Sequence, residues 1–169
     1  MIYCCLGLIL IRFYYINGLL TIYILNTKNI IGKADKVILP KFKLQDVYVK
    51  IDSGAYTSTI HCSVIKETSQ GLEVVFLDSS EDGYTGKAHL FPTFKQKKVR
   101  SSSGEMQLRY IIKGDIELFG QLYSTDFTLS RRSLMRYPVL LGRKLLSNHF
   151  IIDTSLSNQS YKQKTANSK

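Results

Sequence analysis

The sequence predicts an all-β domain with one short helix near its C-terminal end. Many short stretches alternate β-branched or aromatic residues with polar ones, and the chain contains 11 Tyr and 8 Phe but no Trp. A length of 169 residues is enough for one domain with a sizeable hydrophobic core. Because no internal repeat is visible in the sequence, we do not expect a fold with two similar lobes.

The strand-like stretches begin near residue 37 and are separated by turn signals. Residues 78–87 are acidic, polar and glycine-bearing, which indicates a loop. Residues 101–104 are predicted to be the tip of a hairpin, and residues 143–149 form the one convincing helix. The predicted strands cover residues 37–39, 46–52, 57–62, 73–77, 95–100, 107–113, 115–119, 122–129 and 150–153.

The two ends of the chain differ in composition from the domain between them, which we place at residues 31–157. Residues 1–30 are mostly apolar, and two interpretations stay open: a membrane anchor, or a translation start assigned too early. Residues 158–169 are polar and basic, so we expect a disordered tail. We expect a cytoplasmic protein, anchored to the membrane if residues 2–25 span it, because the lysines after this segment favour a cytoplasmic domain.

The charge bears on the kind of partner, and the cysteine content bears on disulfides and structural zinc. The net charge is +10, but the basic residues are scattered, and no basic-aromatic stacking pattern predicts nucleic-acid binding. Four basic residues on one predicted strand either form a solvated face or meet an acidic substrate; they are Lys95, Lys97, Lys98 and Arg100. Three cysteines without framework spacing predict neither a disulfide scaffold nor a structural zinc site.

A short acidic motif carries the strongest functional signal. Asp52, Ser53, Gly54 and Ala55 follow an alternating apolar stretch, which places a carboxylate at the end of a strand. The small Ser and Gly allow a sharp turn and the close approach of a second segment, for which Leu140–Arg143 is the candidate. A lone Asp before Gly is otherwise a common turn former. Because hydrolysis of a peptide bond by carboxylates needs two of them, the single motif per chain predicts a homodimer.

Several stretches resemble a family of bacterial and archaeal retropepsin-like aspartic endopeptidases, whose members are often labelled ATP-dependent zinc proteases. The resemblance covers about residues 31–157, and its strongest parts are Lys50–His61, Val99–Gly104, Arg132–Arg143 and Phe150–Asp153. It implies an acid-protease barrel whose active site is completed by homodimerisation, and an association with ATP-grasp ligases that add amino acids to protein tails. Tyr56 and Thr59 depart from the family pattern, which has a basic and a small residue at these positions.

The motif and the resemblance together predict an aspartic endopeptidase in which Asp52 is catalytic. Two facing Asp52 carboxylates cannot both ionise readily, so one holds a proton and polarises the scissile carbonyl group. The other accepts a proton from the shared water, which attacks the carbonyl carbon. Ser53 and Gly54 are expected to orient this pair by hydrogen bonds. The hairpin tip is expected to fold over a peptide substrate, and it consists of Ser101, Ser102, Ser103 and Gly104.

The sequence offers little support for the zinc and ATP labels, and we predict neither a metal ligand set nor a cofactor. There is no HExxH motif, the three histidines are widely spaced, and His61 and Cys62 point to opposite faces of a predicted strand. There is no GxxxxGK[ST] motif to bind phosphates, so ATP dependence would come from a partner. Two alternatives stay open: a non-catalytic module of the same fold that binds peptide tails or a ligase, and a zinc-dependent peptidase.

Overall fold

The computed structural model of the chain describes residues 3–6, 9–16, 19–26, 28–100, 106–131 and 136–167. The fold is mostly β, with two short helices. In chain order the elements are β1 (Tyr3–Leu6), β2 (Ile9–Ile16), β3 (Leu19–Asn26), β4 (Asn29–Ile31), β5 (Ala34–Leu39), β6 (Leu44–Ile51), β7 (Ser58–Thr68), β8 (Gly71–Phe76), β9 (Ala88–Phe91), β10 (Lys95–Arg100), β11 (Met106–Leu118), β12 (Gln121–Ser130), β13 (Val139–Leu141), α1 (Arg143–His149), β14 (Phe150–Ile152) and α2 (Gln159–Asn167).

Six strands close into a barrel. Strand β11 pairs with β5, β5 pairs with β6, and β13 lies between β6 and β7. Strand β12 closes the ring because it pairs with β7 on one side and with β11 on the other. The predicted all-β, retropepsin-like barrel is therefore confirmed.

Two further sets of strands extend beyond the barrel. Strands β8 and β9 continue outward from β7 as antiparallel neighbours, and β10 pairs antiparallel with the first half of β11. The pair β10–β11 is the predicted hairpin, although its tip, residues 101–104, lies outside the described residues. The sequence pattern divides β11 into two strands at Gly114, whereas the structure has one continuous strand.

Packing of aromatic rings explains the glycine in the middle of β11. Phe42 is fully buried in a short 3₁₀ helix after β5 and stacks on Phe76, with ring centroids 4.4 Å apart. A Cβ atom at Gly114 would lie 2.3 Å from the ring of Phe42. Glycine at this position therefore makes room for a core ring rather than ending the strand.

The C-terminal part contains two helices rather than the single one predicted. Helix α1 covers the predicted residues 143–149. Residues 159–167, expected to belong to a disordered tail, form α2. The N–H groups of Ser160 and Tyr161 donate to the buried carboxylate of Asp35, and the Ser160 hydroxyl accepts a hydrogen bond from the Phe119 N–H. These contacts with distant parts of the barrel stabilise a polar segment whose composition alone does not predict a helix.

The apolar N-terminal segment contributes strands. Strands β1, β2 and β3 form a three-stranded antiparallel sheet. The following strand, β4, pairs in parallel with β14 in a small two-stranded sheet. Among the residues that the structure describes, no helix is long and apolar enough to cross a membrane.

Candidate active site

Asp52 lies directly after β6, where the chain leaves the barrel wall. Strand β6 buries Val49 and Ile51, so the side chain of Lys50 lies on the outer face of the strand, and the alternation continues toward Asp52. The Asp52 N–H donates to the carbonyl of Leu141 at 2.9 Å, which extends the pairing with β13 one residue past the end of β6. The carboxylate is thereby placed at the edge of a rigid sheet.

The backbone of the turn itself holds the Asp52 carboxylate. Its Oδ1 atom accepts hydrogen bonds from the Gly54 N–H at 3.1 Å and from the Ala55 N–H at 3.3 Å. The Asp52 side chain is half-buried, and Ser53 beside it is exposed. Two N–H donors on one carboxylate oxygen fix the orientation of the group without help from another side chain.

A second segment crosses behind this turn. Strand β13 runs parallel to β6 and antiparallel to β7, so it separates the two strands that flank the turn. At its end the Gly142 N–H donates to the buried Ser58 hydroxyl at 3.1 Å. A Cβ atom at Gly142 would lie 2.6 Å from the Thr57 carbonyl carbon and 2.7 Å from the Tyr56 oxygen. The close approach of the two segments therefore requires glycine at this position.

The start of α1 continues the same set of contacts. The Arg143 N–H donates to the Ala55 carbonyl at 2.8 Å, and the Lys144 N–H donates to the Tyr56 carbonyl at 2.9 Å. The first N–H groups of a helix have no partner within the helix, and here the loop after Asp52 supplies the acceptors. The acidic turn and the Leu140–Arg143 segment thus form one hydrogen-bonded unit, as the pairing of the two motifs in the sequence predicts.

A basic cavity lies on the outer face of β6 and β13. It has a volume of about 510 Å³ and is lined by Lys33, Lys50, Arg136, Tyr137 and Leu140. Leu140 is the register partner of Lys50, and Lys50 precedes Asp52 by two residues, so these positions share one face of the sheet. Three cations around one cavity create a positive potential that attracts acidic groups. The sequence analysis missed this cavity, although the alternation in β6 already placed Lys50 outward.

A sequence model of the family described as RimB-like, retropepsin-like aspartic endopeptidase RimB, matches residues 30–163. The chain belongs to this RimB-like family. The match contains the barrel, the Asp52 turn and the crossing segment, and it confirms the resemblance found in the sequence.

Curated relatives of this RimB-like chain carry the name of a different activity. Over 136 residues the chain is 32% identical to a "probable alpha-L-glutamate ligase" of Shewanella halifaxensis, covering 78% of this chain and 30% of the relative. A protein of the same name from Desulfotalea psychrophila is 29% identical over 133 residues, covering 76% of this chain and 29% of that protein. The chain thus spans about 30% of the length of these relatives.

A solved structure shares the fold. The crystal structure of a Legionella pneumophila protein of unknown function superposes with a TM-score of 0.58 at 20% sequence identity. The superposition covers 79% of this chain and 99% of the Legionella protein. At this level of identity the similarity extends to the fold alone.

The structure places the remaining candidate residues of this RimB-like sequence as follows. The candidate substrate-binding residues Ser101–Gly104 lie outside the described residues. Cys62 is buried, and burial raises the pKa of its thiol. The structure also brings together a cluster that the sequence analysis missed, formed by His61, Asp78 and Glu81.

The His61 cluster lies between β7 and the loop after β8. His61 Nε2 is 3.5 Å from an Asp78 carboxylate oxygen and 4.0 Å from a Glu81 carboxylate oxygen. Hydrogen bonds from Ser80 hold the pKa of Asp78 below its usual range, whereas burial raises the pKa of Glu81. The sequence analysis compared His61 only with other histidines and cysteines, so it did not consider the acidic loop as a source of ligands.

Proposed function

We propose that the chain is an aspartic-type endopeptidase that acts as a homodimer. The observation that carries this proposal is the Asp52 turn, in which backbone N–H groups hold one carboxylate oxygen at the edge of a crossed sheet. The membership of the RimB-like family supports the same function.

The proposed chemistry uses the Asp52 carboxyl groups of two protomers. One carboxyl is protonated and donates a hydrogen bond to the oxygen of the scissile carbonyl group. The other is ionised and accepts a proton from a water molecule as the water oxygen bonds to the carbonyl carbon. The tetrahedral intermediate collapses when the C–N bond breaks and the amide nitrogen takes a proton from a carboxyl group. The acid and the base are regenerated for the next cycle.

The dimer is a consequence of this chemistry, because one chain carries one such turn. A two-fold axis between the two Asp52 side chains makes the interface isologous. We therefore predict that activity per chain falls on dilution, in parallel with dissociation of the dimer. Peptidase assays over a dilution series, with sedimentation velocity at the same concentrations, measure both quantities. A monomer with full activity per chain would rule out this mechanism.

We further propose that the substrate is acidic. The basic cavity beside Asp52 supports this specificity, since Lys33, Lys50 and Arg136 surround the space that a side chain next to the scissile bond could enter. The relatives are named as glutamate ligases, and a ligase that adds glutamate creates glutamate-containing peptides. A peptidase that removes them would be a natural companion activity.

Matched peptides separate the specificity from the chemistry. We expect a glutamate-rich peptide to be cleaved with a lower KM than the same peptide with glutamine at each position. The Lys50→Met variant should raise KM for the glutamate peptide several-fold and reduce this preference. Lys66→Met is the matched control, because Lys66 is exposed on β7 and does not line the cavity. Equal cleavage of the two peptides would refute the acidic specificity but leave the peptidase proposal intact.

The names of the relatives favour a second candidate function. In this alternative the domain is a non-catalytic module of the same fold that binds peptide tails or an ATP-grasp ligase. Binding of a glutamate-rich peptide that persists in Asp52→Asn, with no cleavage by the unaltered dimer, would favour the module over the peptidase.

A further inference from the structure

We propose that His61, Asp78 and Glu81 bind one divalent transition-metal ion of the zinc class, at a structural site separate from Asp52. The inference goes beyond the peptidase proposal and does not depend on it. It starts from the geometry of three side chains that come from two distant parts of the chain, strand β7 and the loop that follows β8.

The three ligand atoms are spaced as ligands of one ion. Bond lengths of about 2.0–2.2 Å place any two ligands of a tetrahedral zinc ion about 3.4 Å apart. His61 Nε2 lies 3.5 Å from Asp78 Oδ2 and 4.0 Å from Glu81 Oε2, and one ligand atom from each residue lies within 4.8 Å of the others. The separation between His61 and Asp78 matches this spacing, and the Glu81 carboxylate would move closer to complete the site.

The backbone fixes the two sides of the cluster relative to each other. His61 donates its N–H to the Pro138 carbonyl at 2.8 Å, and its own carbonyl accepts the Leu77 N–H at 3.0 Å. Asp78 directly follows Leu77, so the first ligand of the acidic loop is next to a residue that is hydrogen-bonded to the His61 backbone. His61 is only 3% exposed, and its side chain lies on the face of β7 opposite the core residues Ile60 and Cys62, beside the acidic loop.

Hydrogen bonds within the loop orient the two carboxylates. Asp78 Oδ1 accepts from the N–H and the hydroxyl of Ser80 at 2.9 and 2.6 Å, so its other oxygen, Oδ2, faces His61. The Asp78 N–H donates to Glu81 Oε2 at 2.9 Å, and the Glu81 N–H donates to the Asp78 carbonyl at 3.0 Å. Outer hydrogen bonds that fix the ligands in this way are typical of metal sites.

The donor set and the charge select the class of ion. A carboxylate ligand contributes one negative charge and an imidazole ligand contributes none, so this ligand set matches the charge of one divalent cation. One nitrogen and two carboxylate oxygens suit zinc, with water as a fourth ligand, whereas calcium prefers six or more oxygens. A bound ion would connect the acidic loop to β7. The first residue of β7, Ser58, accepts a hydrogen bond from the Gly142 N–H beside the Asp52 turn.

Metal content and thermal stability test the proposal directly. The full chain, purified without a histidine tag and stripped with a chelator, should take up one Zn²⁺ per chain in equilibrium dialysis. At a hundredfold excess over Kd, Zn²⁺ should raise the melting temperature by roughly 5–10 °C, and Ca²⁺ should not. X-ray absorption at the zinc edge should show nitrogen and oxygen ligands without sulfur, which excludes the neighbouring Cys62.

Conservative variants assign the ligands. Asp78→Asn and Glu81→Gln should each reduce the affinity for Zn²⁺ at least tenfold, whereas His149→Gln, in the exposed end of α1, and Asp52→Asn should keep one ion per chain. The proposal is overturned if the stripped chain binds no stoichiometric Zn²⁺, if the bound metal has a sulfur ligand, or if folded Asp78→Asn and Glu81→Gln bind as tightly as the unaltered chain. Because the uptake and absorption measurements need no variant, they decide the matter even if a variant fails to fold.

Discussion

Asp35 lies in β5 and Asp52 directly follows the neighbouring strand β6. Both carboxylates accept hydrogen bonds from backbone N–H groups, yet their surroundings differ. Asp52 receives its bonds from Gly54 and Ala55, two and three residues ahead, and stays half-buried. Asp35 is fully buried and receives its bonds from Lys36 and from the first turn of α2, more than 120 residues away.

The difference lies in which carboxylate oxygens are engaged. Both oxygens of Asp35 accept bonds, since Oδ1 takes the N–H groups of Lys36 and Tyr161 and Oδ2 takes that of Ser160. Within the described part of the chain, the hydrogen bonds to the Asp52 carboxylate all go to Oδ1. The Asp35 carboxylate thus accepts hydrogen bonds from free N–H groups at the start of α2, whereas the described hydrogen bonds leave Oδ2 of Asp52 available, as the proposed mechanism requires. In this chain, hydrogen bonds to both carboxylate oxygens distinguish the structural Asp35 from Asp52, the candidate reactive residue.

The largest predicted effect is the loss of activity on substituting Asp52. In Asp52→Asn the amide oxygen can still accept the Gly54 and Ala55 N–H groups, but the side chain can no longer exchange a proton. We expect kcat/KM for peptide cleavage to fall by about 10²–10⁴ or more, with a change in the free energy of unfolding within about 0.5 kcal/mol. Asp35→Asn is the matched control and should keep full activity per folded molecule. Full turnover by folded Asp52→Asn would end the aspartic mechanism.

The second prediction concerns the close approach behind the Asp52 turn. Gly142→Ala would place a methyl group 2.6 Å from the Thr57 backbone, which cannot move away easily. We expect the free energy of unfolding to fall by about 3 kcal/mol, as measured by urea denaturation, with loss of activity in the remaining folded protein. Gly54→Ala is the control for the substitution itself, because its methyl group would meet only Asp52 Oδ1, at 3.3 Å. Equal stability of the two variants would show that the crossing tolerates a side chain.

The sequence predicts the two segments around Asp52 because each of them contains its own local pattern. The Asp52–Ala55 tetrad and the Leu140–Arg143 segment each contain their own turn chemistry, and the helix after the second motif covers the predicted residues. The alternation in β6 predicts that strand because one of its faces is buried. The continuous strand through Gly114 was missed, since the role of that glycine depends on a ring distant in sequence.

Two features that the sequence does not predict depend on side-chain contacts between distant parts of the chain. Helix α2 is mostly polar and is stabilised by Asp35, which lies just before the predicted strand at residues 37–39. The His61 cluster likewise joins a strand to an acidic loop 17 to 20 residues later. Local patterns contain no information about such pairs, because a side chain's partner is set by the closure of the barrel.

The third prediction tests the structural role of Asp35. Asp35→Ala removes the acceptor for the Ser160 and Tyr161 N–H groups and leaves the start of α2 without its cap. We expect the free energy of unfolding to fall by about 1.5–3 kcal/mol, and amide hydrogen exchange in α2 to accelerate more than in the barrel strands. Asp35→Asn keeps one acceptor oxygen and should lose less. Unchanged exchange in α2 would show that the helix is held by other contacts.

The smallest predicted effect is the pH dependence that Asp35 adds to stability. Burial raises the pKa of Asp35 above its ordinary value of 3.8, and hydrogen bonds from the backbone offset this shift only in part. The folded state therefore keeps the Asp35 proton to a higher pH than the unfolded state does. The contribution of this carboxyl group to stability is then greatest below about pH 3.8, and it falls as the pH rises through the raised pKa.

Urea unfolding of the unaltered chain and of Asp35→Asn, from about pH 3.5 to about pH 7, isolates this contribution because the amide does not titrate in that range. As the pH rises, the free energy of unfolding of the unaltered chain should fall relative to that of Asp35→Asn. Above the raised pKa, the difference between the two proteins should become constant. If the unaltered chain instead gains stability relative to Asp35→Asn as the pH rises, the hydrogen bonds from the N–H donors of α2 outweigh the cost of burying the charge. The ionised form of Asp35 would then be the one that the fold selects.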